Sequence, residues 1–127
     1  MPVEYQVYDN GEYIYVKALG TLTAEEIIDY VQKIKTNPEI KEGYKELFDV
    51  RFITESKITI DSFKKIIKEV NADQNRTFRN KLAIVVSKLD SFDRAKYYER
   101  MIPMEKQNVI VFNTLETAKT WLGGDKP

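Results

Sequence analysis

The side chains that could do chemistry are few, because the chain contains neither histidine nor cysteine. Their absence removes the commonest general base near neutral pH, the thiolate nucleophile and the usual zinc ligands. Carboxylates, hydroxyls and basic side chains remain, and the most suggestive group is Asp49 with Arg51 and Glu55. No spacing typical of a catalytic site accompanies them. The sequence therefore predicts a binding or regulatory protein with no catalytic residues, no metal ligands and no cofactor.

Asp49 is singled out by the segment in which it lies. Residues Glu46 to Val50 predict a short buried strand, which would place Asp49 at its carboxyl end, where open α/β sheets usually bind ligands. Arg51 would lie beside it, at the start of a stretch, Arg51 to Ile58, predicted to be irregular. The alternative is that Asp49 only hydrogen-bonds the backbone of the following loop, as aspartate often does in turns.

Ser62 is a candidate phosphoacceptor at the start of a predicted helix. The apolar side chains after it recur at helical spacing, and their stripe is formed by Ile60, Phe63, Ile66, Ile67 and Val70. A phosphate on Ser62 would be stabilised by the helix dipole and the free amides of the first turn. The alternative is that Asp61 and Ser62 are ordinary first-turn residues, with Thr59 or Asp61 as the cap.

A third predicted helix, Ser91 to Met101, is rich in aromatic side chains and would be opened by Asp90 or Ser91 and ended by Pro103. Phe92 belongs to its core-facing stripe, while Tyr97, Met101 and Met104 fall on a neighbouring face. Surplus apolar surface often marks a ligand or partner site. The alternative is a wide core stripe with tyrosine hydroxyls reaching water.

The charges give no general attraction to nucleic acid, because 20 basic residues balance 20 acidic ones. One basic cluster surrounds Phe78 and consists of Arg76, Arg79 and Lys81, with Lys64, Lys65 and Lys68 upstream. Clusters of this size are ordinary surface, so we expect no nucleic-acid partner. Neither a secretory signal nor an apolar run of membrane-spanning length is present, so we expect a cytoplasmic protein that is not embedded in a membrane.

The remaining elements follow from periodicity. Glu4 to Tyr8 and Tyr13 to Leu19 predict a β-hairpin around an Asn-Gly turn. Thr23 and Glu26 form a capping box before a helix that stops at Asn37-Pro38. Further strands are predicted at Leu82 to Val86 and Val109 to Phe112, followed by a last helix that Asn113 or Thr114 would cap and Gly123 would end.

The resulting order is β-β-α-β-α-β-α-β-α, which predicts an α/β domain with a mixed, mostly parallel five-stranded sheet and four helices over residues 1–123. Residues 124–127 are predicted to be a loose tail. Tyr13, Tyr15 and Lys17 would share one face of the hairpin and form an aromatic outer surface. Such an edge could pair with a second copy, so a homodimer is one alternative to a monomer.

The whole pattern resembles the SpoIIAA-like group of STAS-fold proteins. The resemblance rests on three segments: the strand end Leu47-Phe48-Asp49, the strand Lys81 to Val86, and the last strand and helix. The residues concerned in the last strand and helix are Val109 to Phe112, Glu116, Ala118 and Trp121-Leu122. It implies a bacterial regulatory module related to anti-sigma-factor antagonists and to the tails of sulfate transporters. The neighbouring SEC14 group implies an alternative, a carrier or sensor of a small apolar ligand or lipid.

The resemblance also bears on the candidate phosphoacceptor. Phosphorylatable antagonists carry an aspartate at a strand end and an Asp-Ser pair, followed by Ser-Gly, at the next helix start. Asp49 and Asp61-Ser62 match those positions, whereas Phe63-Lys64 stands where Ser-Gly would follow, so the site is degenerate. We expect a protein partner, with a small apolar ligand as the alternative.

Overall fold

A computed structural model of the chain describes residues 3–71, 80–102 and 107–123. Five strands form one sheet in sequential order. They are β1 (Val3–Tyr8), β2 (Tyr13–Leu22), β3 (Lys45–Ser56), β4 (Asn80–Val85) and β5 (Gln107–Phe112). β1 runs antiparallel to β2, and the later neighbours are parallel. The predicted fold class, a mixed and mostly parallel sheet with an antiparallel hairpin, is confirmed.

Four helices cover the sheet unequally: α1 (Ala24–Thr36), α2 (Ile60–Asn71), α3 (Leu89–Met101) and α4 (Leu115–Leu122). Because the parallel strands are added in one direction, right-handed crossovers place α1, α2 and α3 on the same face. α4 follows the last strand and packs on the other face, against β3, β4 and β5. The larger core lies under the three helices, and a smaller one lies under α4.

Local signals set the starts of α1, α2 and α4 and the end of α4 where the sequence predicts them. The Thr23 side chain accepts a hydrogen bond from the Glu26 amide at the start of α1, and Thr114 does the same for Thr117 at the start of α4. At α2 the Ser62 amide donates to the Thr59 hydroxyl at 3.1 Å, so Thr59 is the cap. Gly123 ends α4 in the left-handed conformation, with φ of 81°.

The hairpin turn lies where the sequence places it, between Tyr8 and Tyr13. Asp9 to Gly11 form a short 3-10 turn in which all three residues have positive φ. A Cβ on Gly11 would lie 1.8 Å from the Glu39 carbonyl oxygen, and the Gly11 carbonyl accepts a hydrogen bond from the Lys41 amide. The turn is therefore tied to the loop after α1, and only glycine fits at its last position.

The prediction for residues Arg51 to Ile58 is wrong for most of its length, because β3 continues to Ser56. The extension pairs with β2, which also runs beyond its predicted end, to Leu22, and the pairs run from Leu19 and Phe52 to Leu22 and Ser56. One register shift precedes these pairs and a second lies between Gly20 and Thr21. Alternation of polar and apolar residues is blurred by those irregularities, which hid the strand. Asp49 consequently lies in mid-strand and not at a carboxyl end.

Two further predictions need correction. α3 begins at Leu89, and its N-cap residue Lys88 makes no capping hydrogen bond with its side chain, so neither Asp90 nor Ser91 opens the helix. The aromatic outer face of the hairpin is largely covered, because Tyr13 is 4% exposed and packs in the core under α4. The predictions about Arg76, Phe78, Arg79, Pro103, Met104 and residues 124–127 lie outside the described residues.

Candidate functional site

The most distinctive feature is an apolar cavity of roughly 100 Å³ between the sheet and helices α1 to α3. Its walls include Ile34 of α1, Ile66 and Val70 of α2, and Phe48 and Leu82 of the sheet. These side chains face one another because alternate strand positions and i, i+4 helix positions point to the same side. Protein cores are usually packed with few voids larger than a water molecule, so a space of this size is unusual.

The cavity runs along the strands and has polar groups towards each end. Glu46 and Gln107 lie at the amino ends of β3 and β5, together with Tyr98 of α3. Ser56, at the end of β3, and Ser91, near the start of α3, lie towards the carboxyl ends of the strands. The Lys88 ammonium donates to the Ile53 carbonyl at 3.1 Å and ties the start of α3 to that end of the sheet.

Glu46 is a buried carboxyl group of the cavity wall, with 2% of its surface exposed. The Tyr30 hydroxyl donates to one carboxyl oxygen at 2.5 Å and the Asn80 amide donates to the other at 3.0 Å. Burial raises the pKa of Glu46 to about 7, although these donors and Tyr44 oppose the shift by stabilising the carboxylate. Burial beside Glu46 likewise raises the pKa of the Tyr30 hydroxyl well above its ordinary value.

A second polar group lies on the opposite face of the sheet. Asp49 is fully buried, and the Arg51 guanidinium binds both carboxyl oxygens, at 2.9 and 2.8 Å. The Tyr15 hydroxyl donates to the same carboxyl at 2.8 Å. Burial alone would raise the pKa of Asp49, but the hydrogen bonds from Arg51 and Tyr15 hold it below its usual value. All the oxygen atoms of this carboxylate are engaged, which is the arrangement of a structural ion pair.

The predicted site residues are not brought together. Asp49 and Arg51 face α4, whereas Ser62 lies in the first turn of α2, on the other side of the sheet. Ser62 is half-buried, and its hydroxyl oxygen lies 3.1 Å from that of Thr59. The antagonist-like pairing of Asp49 with Ser62 therefore has no counterpart in the geometry, and phosphorylation of Ser62 stays a prediction.

The predicted surface on α3 is divided between core and solvent. Phe92 and Tyr97 pack against the main core, and the Tyr97 ring lies 5.8 Å from that of Phe63. Met101 is 48% exposed. A binding role for these three side chains stays a prediction, and only Met101 offers a large apolar side chain to solvent.

The described members of the predicted basic cluster lie on opposite faces of the sheet. The Lys81 ammonium lies 5.3 Å from the centre of the Trp121 ring, on the face of α4. Lys64, Lys65 and Lys68 belong to α2, on the other face. Lys81 and the three α2 lysines therefore form no common surface.

Sequence reasoning missed the cavity and the side chains that line it. Glu46 was placed in the right strand, yet nothing local indicates that its carboxyl is enclosed by tyrosines from α1 and α3. The sequence assigns Arg94 to α3 without any role and gives Ser91 only a possible role as the residue that opens the helix. Acidic or basic residues inside a continuous apolar strand or on a core-facing helix stripe are the signal that could have identified them.

The comparisons with known proteins bear on the fold. No family model matches the sequence, and no curated protein matches it. One solved structure that is similar to this chain is that of an uncharacterised DUF3478-family protein from Shewanella loihica PV-4, which has a SpoIIAA-like fold. It superposes with a TM-score of 0.58 over 94% of this chain and 91% of that protein, at 15% sequence identity.

The fold is SpoIIAA-like. This agrees with the resemblance read from the strand and helix pattern, and at 15% identity the likeness concerns the fold alone. None of the described helices is both long and apolar enough to cross a membrane. Among the described residues, no three acidic side chains are grouped so as to hold a metal ion.

Proposed function

We propose that this chain is a non-catalytic module of SpoIIAA-like fold that carries or senses a small apolar molecule in the cavity between its sheet and α1 to α3. The cavity is the observation that supports the proposal. An unfilled apolar space of roughly 100 Å³ costs at most about 2 kcal/mol, the value for a fully enclosed cavity at ~24 cal/mol per Å³. A bound apolar molecule would recover that cost, since dry apolar cavities of comparable size accept small hydrocarbons.

The composition of the wall supports a ligand that is mainly apolar. The polar groups at the amino end are already paired, because Glu46 is held by Tyr30 and Asn80, and the Tyr98 hydroxyl donates to Gln107 at 2.6 Å. Such groups contribute little to water binding, so the interior favours hydrocarbon over water. A regulatory role would follow if ligand binding altered the affinity of the module for a protein partner.

The experiment fills the cavity. Ile66 is 3% exposed on the α2 wall, so Ile66→Phe should occupy the space and weaken binding of 1-hexanol at least about tenfold. Binding is measured by NMR titration, and native mass spectrometry of protein purified from cells shows whether a small molecule is retained. The matched control is Leu115→Phe, a similar change on α4 across the sheet, which should leave hexanol affinity unaltered.

The proposal is wrong if wild type binds no hexanol, or if Ile66→Phe binds it as tightly as wild type. Circular dichroism and urea unfolding establish that each variant is folded. Val70→Leu, a smaller enlargement of the same wall, replaces Ile66→Phe if the larger ring prevents folding.

Protein binding is a second candidate function, supported by a separate surface. Phe52 is 46% exposed on the sheet face that α4 leaves open. The Lys17 ammonium lies 4.4 Å from the centre of its ring, and the Arg51 guanidinium carbon lies 5.1 Å from it. An exposed aromatic ring flanked by cations suits a protein segment that offers both apolar and acidic side chains.

Phe52→Ser tests this second function, with Leu89→Ser as the control because Leu89 is 77% exposed on α3. A defined partner protein should bind wild type and Leu89→Ser with similar affinity and bind Phe52→Ser at least about tenfold more weakly. Equal binding to all three proteins would contradict the use of this surface.

A further inference from the structure

Arg94 is an unusual residue to find on the wall of an apolar cavity. It lies on α3, one turn after Ser91 and one turn before Tyr98, and all three line the cavity. The side chain is half-buried. A guanidinium is always charged in proteins, so its partial removal from water is unfavourable unless an anion or strong acceptors receive its donors.

No such acceptor is found in the part of the chain that the structure describes. Three other half-buried cations do have partners: Arg51 binds Asp49, Lys35 binds Glu69, and Lys96 binds Glu99. Arg94 has neither an ion pair, a hydrogen bond nor an aromatic ring contact with any described residue. None of its five donors is therefore taken up by a described residue, and they can bind a group that enters the cavity.

The other polar groups of the wall give the cavity a direction. Ser91 lies on the same face of α3 as Arg94. Its hydroxyl provides a further donor, one turn nearer than Arg94 to the carboxyl ends of the strands. The acidic group of the wall, Glu46, lies at the amino end beside Tyr98. Tyr98 follows Arg94 by one turn of α3, a rise of about 6 Å. An anion would be attracted to Arg94 and repelled from the Glu46 end.

We propose that the ligand is an amphipathic acid, an apolar chain or ring that bears one oxyanion, and that Arg94 with Ser91 binds the oxyanion while the apolar part enters the cavity. A carboxylate and a phosphate monoester each have at least two oxygens on one atom, and a guanidinium can bind such a pair through two parallel hydrogen bonds. This inference rests on the proposed function, since it requires the cavity to hold a ligand.

The experiment uses four probes with the same six-carbon chain: hexanoate, hexyl phosphate, 1-hexanol and hexylamine. Dissociation constants are measured by NMR titration of the full chain. Wild type should bind at least one of the two anions about tenfold more tightly than 1-hexanol, and hexylamine more weakly than 1-hexanol. The anion that binds more tightly separates a carboxylate source from a phosphate source.

Arg94→Met keeps much of the apolar stem and removes the charge. It should lower the affinity for the preferred anion about tenfold and change that for 1-hexanol by less than about twofold. Arg94→Lys should restore part of the preference for an anion. The matched control is Arg100→Met, on the exposed part of the same helix, where the guanidinium nitrogen Nε donates to the Lys96 carbonyl at 3.4 Å. It should leave all four affinities unchanged.

Two results would overturn the inference. If 1-hexanol binds but neither anion is preferred, or if Arg94→Met weakens hexanol and anion equally, the proposed function stands and the anionic ligand is wrong. If wild type does not bind 1-hexanol, the proposed function fails, and the inference that rests on it fails with it. Arg94→Gln, which retains a polar end, provides the same comparison if Arg94→Met does not fold.

Discussion

We expect the stability of the wild type to fall between pH 5 and pH 8, and replacing Glu46 by glutamine should abolish this dependence. Burial raises the pKa of Glu46 to about 7 in the folded protein, against an ordinary value of 4.5. The unfolded chain therefore releases this proton at lower pH than the folded protein does. Stability due to this group is fully present below pH 4.5, falls as the pH rises, and is lost above pH 7.

The size of the effect follows from the two pKa values. Each unit of difference corresponds to ~1.4 kcal/mol, so a shift from 4.5 to about 7 represents about 3 kcal/mol in full. Between pH 5 and pH 8 about 2.5 kcal/mol of this is expressed, because part of the change occurs below pH 5. Raising the pH from 5 to 8 should therefore lower the urea concentration at the unfolding midpoint by roughly 1 to 2 M.

The composition of the chain makes this measurement unusually clean. With no histidine and no cysteine, the side chains that most often titrate between pH 5 and pH 8 are missing. Glu46→Gln imitates the protonated carboxyl in shape and charge, so urea unfolding of the variant should vary little with pH. Glu55→Gln, an exposed change on β3, should retain the full dependence of the wild type.

Two results would refute the reasoning. One is a wild-type stability that stays constant or increases from pH 5 to pH 8. The other is a Glu46→Gln variant with the same slope as the wild type, which would assign the dependence to another group. Comparison of the two proteins at each pH removes the contribution of the α-amino group, which both share.

Further predictions concern the other face of the sheet and the hairpin turn. Asp49→Ala should lower the free energy of unfolding by about 2 to 3 kcal/mol in urea, because it leaves the Arg51 guanidinium and the Tyr15 hydroxyl without their acceptor. Asp29→Ala, which breaks an exposed pair with Lys33, should cost less than about 0.5 kcal/mol, and equal losses would show that the Asp49 group is not a structural ion pair. Gly11→Ala should lower thermal stability by at least about 2 kcal/mol, since its Cβ would meet the Glu39 carbonyl. Gly43→Ala, at φ of 78° in open space, should cost only about 1 kcal/mol, and a Gly11→Ala variant no worse than this would contradict the close approach.

The limits of the sequence prediction are clearest in β3. The run from Leu47 to Val50 shows the strand, but the extension from Arg51 to Ser56 depends on pairing with β2, which lies more than twenty residues earlier in the chain. Asp49 was assigned to the correct strand and to the wrong environment. Alternation along a strand determines that Asp49 and Leu47 share a face, yet it does not say which helices cover that face.

α3 shows the same limit in a helix. Periodicity separates a core-facing stripe from its neighbours, and Ala95 and Tyr98 are buried as the stripe predicts. The same periodicity gives no sign that α2 and α3 leave a space beside Arg94, because a cavity results from the distances between elements and not from any one of them. Tyr97 was interpreted as surplus surface, but its ring packs on Phe63 of α2.

The sequence by itself determined the elements and their order. Capping at Thr23, Thr59 and Thr114 and the helix end at Gly123 are local properties of backbone and side chain, and the apolar run from Leu82 is local too. Only the tertiary structure decided which side chains became a site. Three crossovers cover one face while α4 covers the other, and that division buries Glu46, brings the Tyr15 hydroxyl to Asp49 and leaves Arg94 beside a cavity. These are interactions between segments distant in the chain, for which no local pattern carries the information.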